Sequence, residues 1–392
     1  MNRTALILSL TLSIWLAPLA TVARSDSVGP LFGLLGRIPL DARGWVVLND
    51  YAAVATQVAP FTAGLPPDHP SRLYLPFGTL AAPNGFDVNS LFGFSDGAVD
   101  ALGFSIFEID QMAGWGKNPH IGLVLTGIAG QPGRMKSALL ARDFAETAIG
   151  PHIVWHRQDD FQVDFSRRLE EPFAGADGMS QRFSIVDEHL LFSRSWQVME
   201  HALDGTAALA SDGNASAILQ AGYEFAGAGT LISAYLMAGQ PLRQSASPES
   251  ASSESASPGT LEPAGAVDPA NPPALPAFPL YGVLLWQNGA TMTGAIAIPY
   301  TSAEAAESAI ATFSTLLEVV QSPSVRKPMT ELLPTERRFE VIDTGQRKMV
   351  ILAFETTHTI SQPIGIATFT GNPLQRLMTM ALRDELGLLI GR

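Results

Sequence analysis

The stretch "YGVLLWQNGATMTGAIAIPY", Tyr281 to Tyr300, constrains the fold more than any other part of the chain. Two apolar runs flank Asn288-Gly289, a dipeptide whose members both accept φ > 0 and so suit a type I′ hairpin turn. The sequence beyond it continues the pattern. "TSAEAAESAIATFSTLLEVVQ" opens with Thr301 and Glu304 spaced as a capping box, and Ala306, Ile310, Phe313, Leu317 and Val320 recur at a helical period. "RRFEVIDTGQRKMVILAFETTH" is a second hairpin, turning at Asp343 to Gln346. "GNPLQRLMTMALRDELG" is a helix with Asn372 as cap, Pro373 at its first position and Gly387 as its end; Leu374, Leu377, Met378, Ala381 and Leu382 form its buried stripe. Hairpin, helix, hairpin, helix predicts an α+β fold with helices packed on one face of antiparallel sheets.

A blurred version of this order precedes it. "HIGLVLTGI" is a strand, and "QPGRMKSALLARDFAETAIG" a helix opened by Pro132. "HIVWHRQDDFQVDF" reads as a hairpin turning at Arg157 to Asp160, and "RFSIVDEHLLFSRS" as another turning at Asp187-Glu188. "WQVMEHALDG" is a helix stopped by Gly205. The expected organisation is two similar α+β halves, residues 24–242 and 280–392.

Between them lies a low-complexity segment, residues 243–279. Seven serines fall between Ser245 and Ser257, and seven prolines between Pro258 and Pro279. Its only large apolar residues are Leu261, Val267, Leu275 and Phe278, too few to offset the entropy of ordering it, so disorder is expected. The flanking runs "LISAYLM" and "YGVLLW" both read as buried strands. A loop thrown out from one sheet is the expectation, with a tether between free domains as the alternative.

The amino terminus "MNRTALILSLTLSIWLAPLATVARS" reads as a secretory signal over residues 1–23. Arg3 begins it, Ala5 to Leu16 form the apolar run, Pro18 breaks that run, and Thr21 and Ala23 are the small residues before a cut. An uncleaved anchor is the alternative. Export places the protein in a bacterial periplasm or outside the cell. Cysteine is absent throughout, which excludes disulfides, thiol catalysis and thiolate metal sites. The net charge of −13 repels phosphate backbones, so nucleic acid is not an expected partner. After signal removal no membrane span is expected, because Ala215 to Gly239, the nearest apolar run, carries Glu224 and several glycines. Only 16% of residues are charged, against ~25% in an average soluble domain, which points to extensive buried sheet or an apolar surface facing a partner.

Few motifs carry chemistry. "GFSDG", Gly93 to Gly97, matches the G-x-S-x-G nucleophile elbow, with Ser95 as the one candidate catalytic residue. No clean strand precedes it, and Gly103 stops the following helix early, so a capped turn is the expectation. His152 and His156 are four apart, but Ile153, Val154 and Trp155 favour a strand, along which four residues span ~13 Å, too far for one metal. Asp159, Asp160 and Asp164 lack the ligand ladder of a calcium loop and read as a solvated hairpin end. Met329, Met349, Met378 and Met380 read as core packing rather than copper ligands, with Met380 off the buried stripe. No cofactor is implied. Trp115, in "MAGWGKNPH", is a possible partner contact if its glycines place it in a loop. The expected function is a non-enzymatic envelope protein that binds another envelope component or itself. A carrier of an apolar small molecule or lipid is one alternative, and an exported serine hydrolase using Ser95 another.

Overall fold

The computed structural model describes residues 29–66, 97–117, 119–128, 131–166, 172–174, 178–205, 207–225, 227–239, 274–322, 326–333, 336–357, 359–361 and 368–370, with His69, Arg72, Pro76, Leu80, Leu377 and Met380 as single positions. Twelve strands form one antiparallel sheet. They are β1 Trp45–Asp50, β2 Gln111–Lys117, β3 His120–Leu125, β4 Ala145–Ile149, β5 His152–Arg157, β6 Gln181–Val186, β7 His189–Ser193, β8 Thr230–Ala238, β9 Leu280–Asn288, β10 Thr291–Tyr300, β11 Arg337–Asp343 and β12 Lys348–Thr357. Their spatial order is β11-β12-β10-β9-β8-β1-β2-β3-β7-β6-β5-β4. A small separate ladder pairs β13 Thr359–Ser361 with β14 Thr368–Thr370. The described helices are α1 Pro30–Leu35, α2 Tyr51–Thr62, α3 Ala98–Leu102, α4 Pro132–Leu140, α5 Trp196–Asp204, α6 Gly213–Glu224, α7 Ala303–Val319 and α8 Met329–Leu332. The fold is α+β.

Helices cover both faces of the sheet, where the sequence pattern predicted one. On the first face α2, α3, α4 and α7 pack over Val47, Leu123, Phe183, Tyr235, Leu285 and Ile296. On the second, α1, α5 and α6 pack over Val46, Leu48, Val124, Leu236, Leu284 and Ala297. Successive strand residues point to opposite faces. A strand covered on both sides therefore needs apolar residues at nearly every position. That is why "GAIAIPY" in β10 is buried without interruption and shows no polar alternation, and why the chain carries so little charge.

The topology repeats itself. β1, β2 and β3 lie side by side, α4 follows, and the chain goes out to β4 and returns through β7 beside β3. In the same way β8, β9 and β10 lie side by side, α7 follows, and the chain goes out to β11 and returns through β12 beside β10. The two sets meet where β1 pairs with β8, antiparallel, Val47 opposite Tyr235 and Asn49 opposite Ser233. Both polar side chains of that last pair are fully buried, and Ser233 Oγ lies 2.7 Å from Asn49 Oδ1 and 3.0 Å from Leu48 O. A one-residue slip would bury these groups without partners, so the pair fixes the register of the two halves.

The low-complexity segment leaves the sheet at the end of β8 and re-enters at β9. These are paired neighbours, Ala238 opposite Leu280, with Gly239 N–H donating to Pro279 O at 2.9 Å. Residues 240–273 lie outside the described set. Leu275 and Phe278 belong to the first-face core, so the expected disorder does not extend to the end of residues 243–279. By topology the segment sits inside the second repeat, after its first strand, rather than at the junction of the halves.

Several local expectations shift. The β9–β10 turn is Gly289-Ala290, with Asn288 still paired to Thr291 and only Gly289 at positive φ. The α7 cap is Ser302, whose Oγ accepts the Ala305 N–H at 3.1 Å, one residue after the predicted Thr301. The helix opened by Pro132 stops at Leu140, since Asp143 takes φ 65°, and "AETAI" is strand β4. The hairpin is β4–β5, turning at Gly150-Pro151, and "FQVDF" forms no strand of the sheet but an isolated bridge from Val163 to Met179. Most of the final helix lies outside the described residues. Within it Leu377 and Met380 are both buried, so Met380 is on the packed side, contrary to its predicted position.

Candidate functional site

Trp115 lies in β2 and is 4% exposed, so the loop that would make it a free anchor does not exist. Its indole packs on the second face, across Gly122, its partner residue in β3. A Cβ at position 122 would sit 2.2 Å from the ring, so the glycine is what lets the indole lie across the neighbouring strand. The exposed edge of this arrangement is the floor of an open cleft of about 230 Å³.

Three segments build its walls. Pro39, Asp41 and Ala42 come from the turn leading into β1, Gly116 and His120 from the β2–β3 hairpin, and Gln197, Val198 and His201 from α5. His201 Nδ1 lies 3.6 Å from Asp41 Oδ2, and both side chains are more than half exposed. The His120 ring meets Phe161 edge-on at 5.2 Å between centroids. Phe161, Val163 and Phe165 are exposed large apolar residues at alternate positions of "FQVDF", and Phe161 brings an apolar ring to the cleft's edge at His120.

The rim and α5 are tied together beneath the surface. Asp160, next to Phe161, accepts the Trp196 N–H at 3.0 and 3.2 Å, at the start of α5, and forms an ion pair with Arg182. Arg182 is fully buried on β6; its guanidinium lies 4.7 Å over the Trp196 ring and donates to Arg194 O at 2.8 Å. Ser195 caps the helix, its Oγ accepting the Val198 N–H at 3.4 Å. The Asp159–Asp160 turn is therefore not merely a solvated end. Sequence patterning could not show this, because Asp160, Arg182 and Trp196 come from three separate elements.

His156 lies beside this network. It edges Trp196 at 4.8 Å, and its Nε2 is 2.9 Å from Thr147 Oγ1. Burial, reinforced by the Arg182 charge, holds its imidazole below the usual histidine range, against the opposing pull of Asp159. His152 and His156 both lie on β5, as the strand reading expected. Among the described residues no group of three or more His, Asp or Glu could hold a metal ion. Ser95 lies outside the described residues.

A second, more open cleft of about 620 Å³ is lined by Asp110, Gln111, Thr126, Gly127, Asp187, Glu188 and His189. Burial and the Arg37 charge lower the affinity of His189 for a proton. Among the described residues no helix is long and apolar enough to cross a membrane.

Chemically, the Trp115 cleft offers an aromatic floor, aliphatic walls and a rim of hydrogen-bonding groups from Asp41, His120, Gln197 and His201. Its described lining holds no hydroxyl or amine nucleophile. Of the residues lining the cleft, sequence reasoning singled out Trp115 alone. Nothing in local spacing could join residues 41, 115 and 201.

No family model matches the chain, and none of the curated proteins does. Among solved structures, crystal form I of TP0453 is similar at 9% identity and TM-score 0.34, covering 85% of this chain and 94% of that one. Crystal form III of TP0453 is similar at 8% identity and TM-score 0.32, covering 81% of this chain and 94% of that one.

Proposed function

We propose that this is an exported, non-enzymatic protein of the bacterial envelope that binds another envelope protein, with the Trp115 cleft receiving an apolar or aromatic side chain of that partner. The observation that carries this reading is the cleft itself. At about 230 Å³ it falls below the ~300–1,000 Å³ usual for small-molecule sites but has room for one large side chain. A buried tryptophan ringed by polar groups beside exposed Phe161 has the make-up of an interface anchor pocket with its rim. The export part of the reading rests on Arg3, the run Ala5 to Leu16, the break at Pro18 and the small residues Thr21 and Ala23.

The larger described cleft is lined by Asp110, Asp187 and Glu188, a poor match for an apolar carrier. A photo-crosslinking residue placed at Gln197, in intact cells, tests the proposal. A discrete protein adduct that disappears when Ala42→Arg fills the cleft is the expected result. Adducts with lipid alone, or protein adducts indifferent to Ala42→Arg, would overturn it.

A further inference from the structure

Among the described residues the twelve-stranded sheet ends in two edge strands, β11 and β4, and they differ. β11 carries Arg337, Arg338, Glu340 and Asp343 among its seven residues, the charged dressing that discourages strand addition. β4, "AETAI", carries one charge among five and is exposed along almost its whole length. That charge is already engaged: Glu146 Oε1 lies 2.9 Å from Lys136 Nζ and accepts the Trp155 Nε1–H at 2.8 Å. Both partners lie on the first face, so the carboxylate is drawn back over the sheet instead of guarding its edge.

The phase of the ladder determines what can pair there. Ile149 and His152 flank the two-residue turn Gly150-Pro151, with Gly150 at φ 55° in the position that a type II′ turn reserves for glycine. The residues flanking such a turn exchange both hydrogen bonds, and the alternation then assigns the inward groups to Ala145, Thr147 and Ile149. Glu146 and Ala148 are left with backbone N–H and C=O directed outward. A two-fold axis through Thr147 brings Glu146 of each copy opposite Ala148 of the other. In that register all four outward residues pair, and neither carboxylate faces another. Two exposed apolar side chains flank the edge, Leu140 on α4 and Ile153 on β5 opposite Ala148.

We propose that the protein self-associates through β4, two copies joining antiparallel about Thr147 to continue the sheet across the dimer. A five-residue edge buries less than the ~1,200 Å² of a stable complex, so the dimer is weak and concentration-dependent. This interface is separate from the Trp115 cleft and stands or falls without it.

The absence of cysteine makes the test direct. Thr147→Cys puts the only two thiols of a dimer opposite each other in a non-hydrogen-bonded pair, close enough for a disulfide. Mild oxidation should give a covalent dimer. Ala145→Cys places its thiols about 13 Å apart in the same register and should remain monomeric. Equal cross-linking of the two variants, or of Glu340→Cys on the other edge, would overturn the proposal, as would none with Thr147→Cys. Sedimentation equilibrium supplies a second readout. Ala148→Glu sets a carboxylate opposite Glu146 of the other copy and should weaken the dimer roughly tenfold, whereas Ala148→Lys should tighten it. Identical dissociation constants for the two variants, or a monomer at every concentration of the parent protein, would also refute it.

Discussion

The most consequential single residue away from the cleft is Arg182. Its side chain is fully buried, and burial works against its charge while Asp160 supports it. Asp160→Ala should cost about 3 kcal/mol or more in urea unfolding, since it strands a buried guanidinium and removes the acceptor for the Trp196 N–H. Arg182→Met combined with Asp160→Asn should cost clearly less than Asp160→Ala alone, because no uncompensated charge then remains. A loss as large in the double variant would show that packing, not charge, governs the site. His156, beside it, makes a pH prediction. Its folded proton affinity is depressed by burial and by Arg182, so the unfolded chain takes up that proton first as pH falls. The stability it contributes is complete above about pH 6.5, the unreduced value, and is lost as pH drops through its lower folded value. His156→Gln should therefore shrink the decline in urea midpoint between pH 7 and pH 5, and parallel pH profiles for the two proteins would refute that assignment. None of this was legible in "QDDFQVDF" or "QRFSIV", because the ion pair joins residues on different elements that no local period relates.

At the scale of elements, the sequence identified long periodic segments well and their ends less well. α5, β8, β9 and β10 follow from apolar runs, helical period and stop signals in "WQVMEHALDG", "LISAYLM" and "YGVLLWQNGATMTGAIAIPY". The turn at Gly289-Ala290 and the cap at Ser302 each fall one residue from their predicted positions. Neighbouring residues offer chemically equivalent choices there, and the sheet register selects between them. β4 was absorbed into a helix because "AETAI" has a weak propensity of its own; pairing with β5 decides its state. The fit of β2 to β3 was also invisible, though it makes the floor of the cleft. Gly122→Val should displace the Trp115 indole, since even a Cβ comes within 2.2 Å of the ring. The expected cost is about 1–3 kcal/mol, with altered tryptophan fluorescence and loss of the crosslink from Gln197. Unchanged fluorescence would mean the ring does not rest on that glycine.

For the whole molecule, the repeated order of strands explains where the serine- and proline-rich segment sits. In each repeat the first two strands, β1 with β2 and β8 with β9, are paired neighbours joined by the longest connection of that repeat. The first connection carries α2 and α3; the second contains the low-complexity stretch. The sequence suggested a duplicated unit but set its boundary after β8, because the stretch interrupts the texture more strongly than β8 continues it. Hydrogen bonding places β8 with β9. The ends of the segment are thus held together by the sheet, and closing a long loop costs only about 0.6 kcal/mol more for each doubling of its length. Deleting Ser245 to Ala274 shortens the connection by roughly two halvings and should leave stability unchanged or raise it by about 1 kcal/mol. The residues just beyond the deletion behave oppositely. Phe278 is fully buried and packs edge-on against Tyr281 and Tyr300, with ring centroids 6.3 Å apart in each case. Phe278→Ala should cost about 3–5 kcal/mol, the usual penalty for emptying an aromatic site in a core. Urea unfolding of both variants separates the two parts of the segment: a large loss on deletion would make the stretch structural, and a small loss at Phe278 would detach its end from the core.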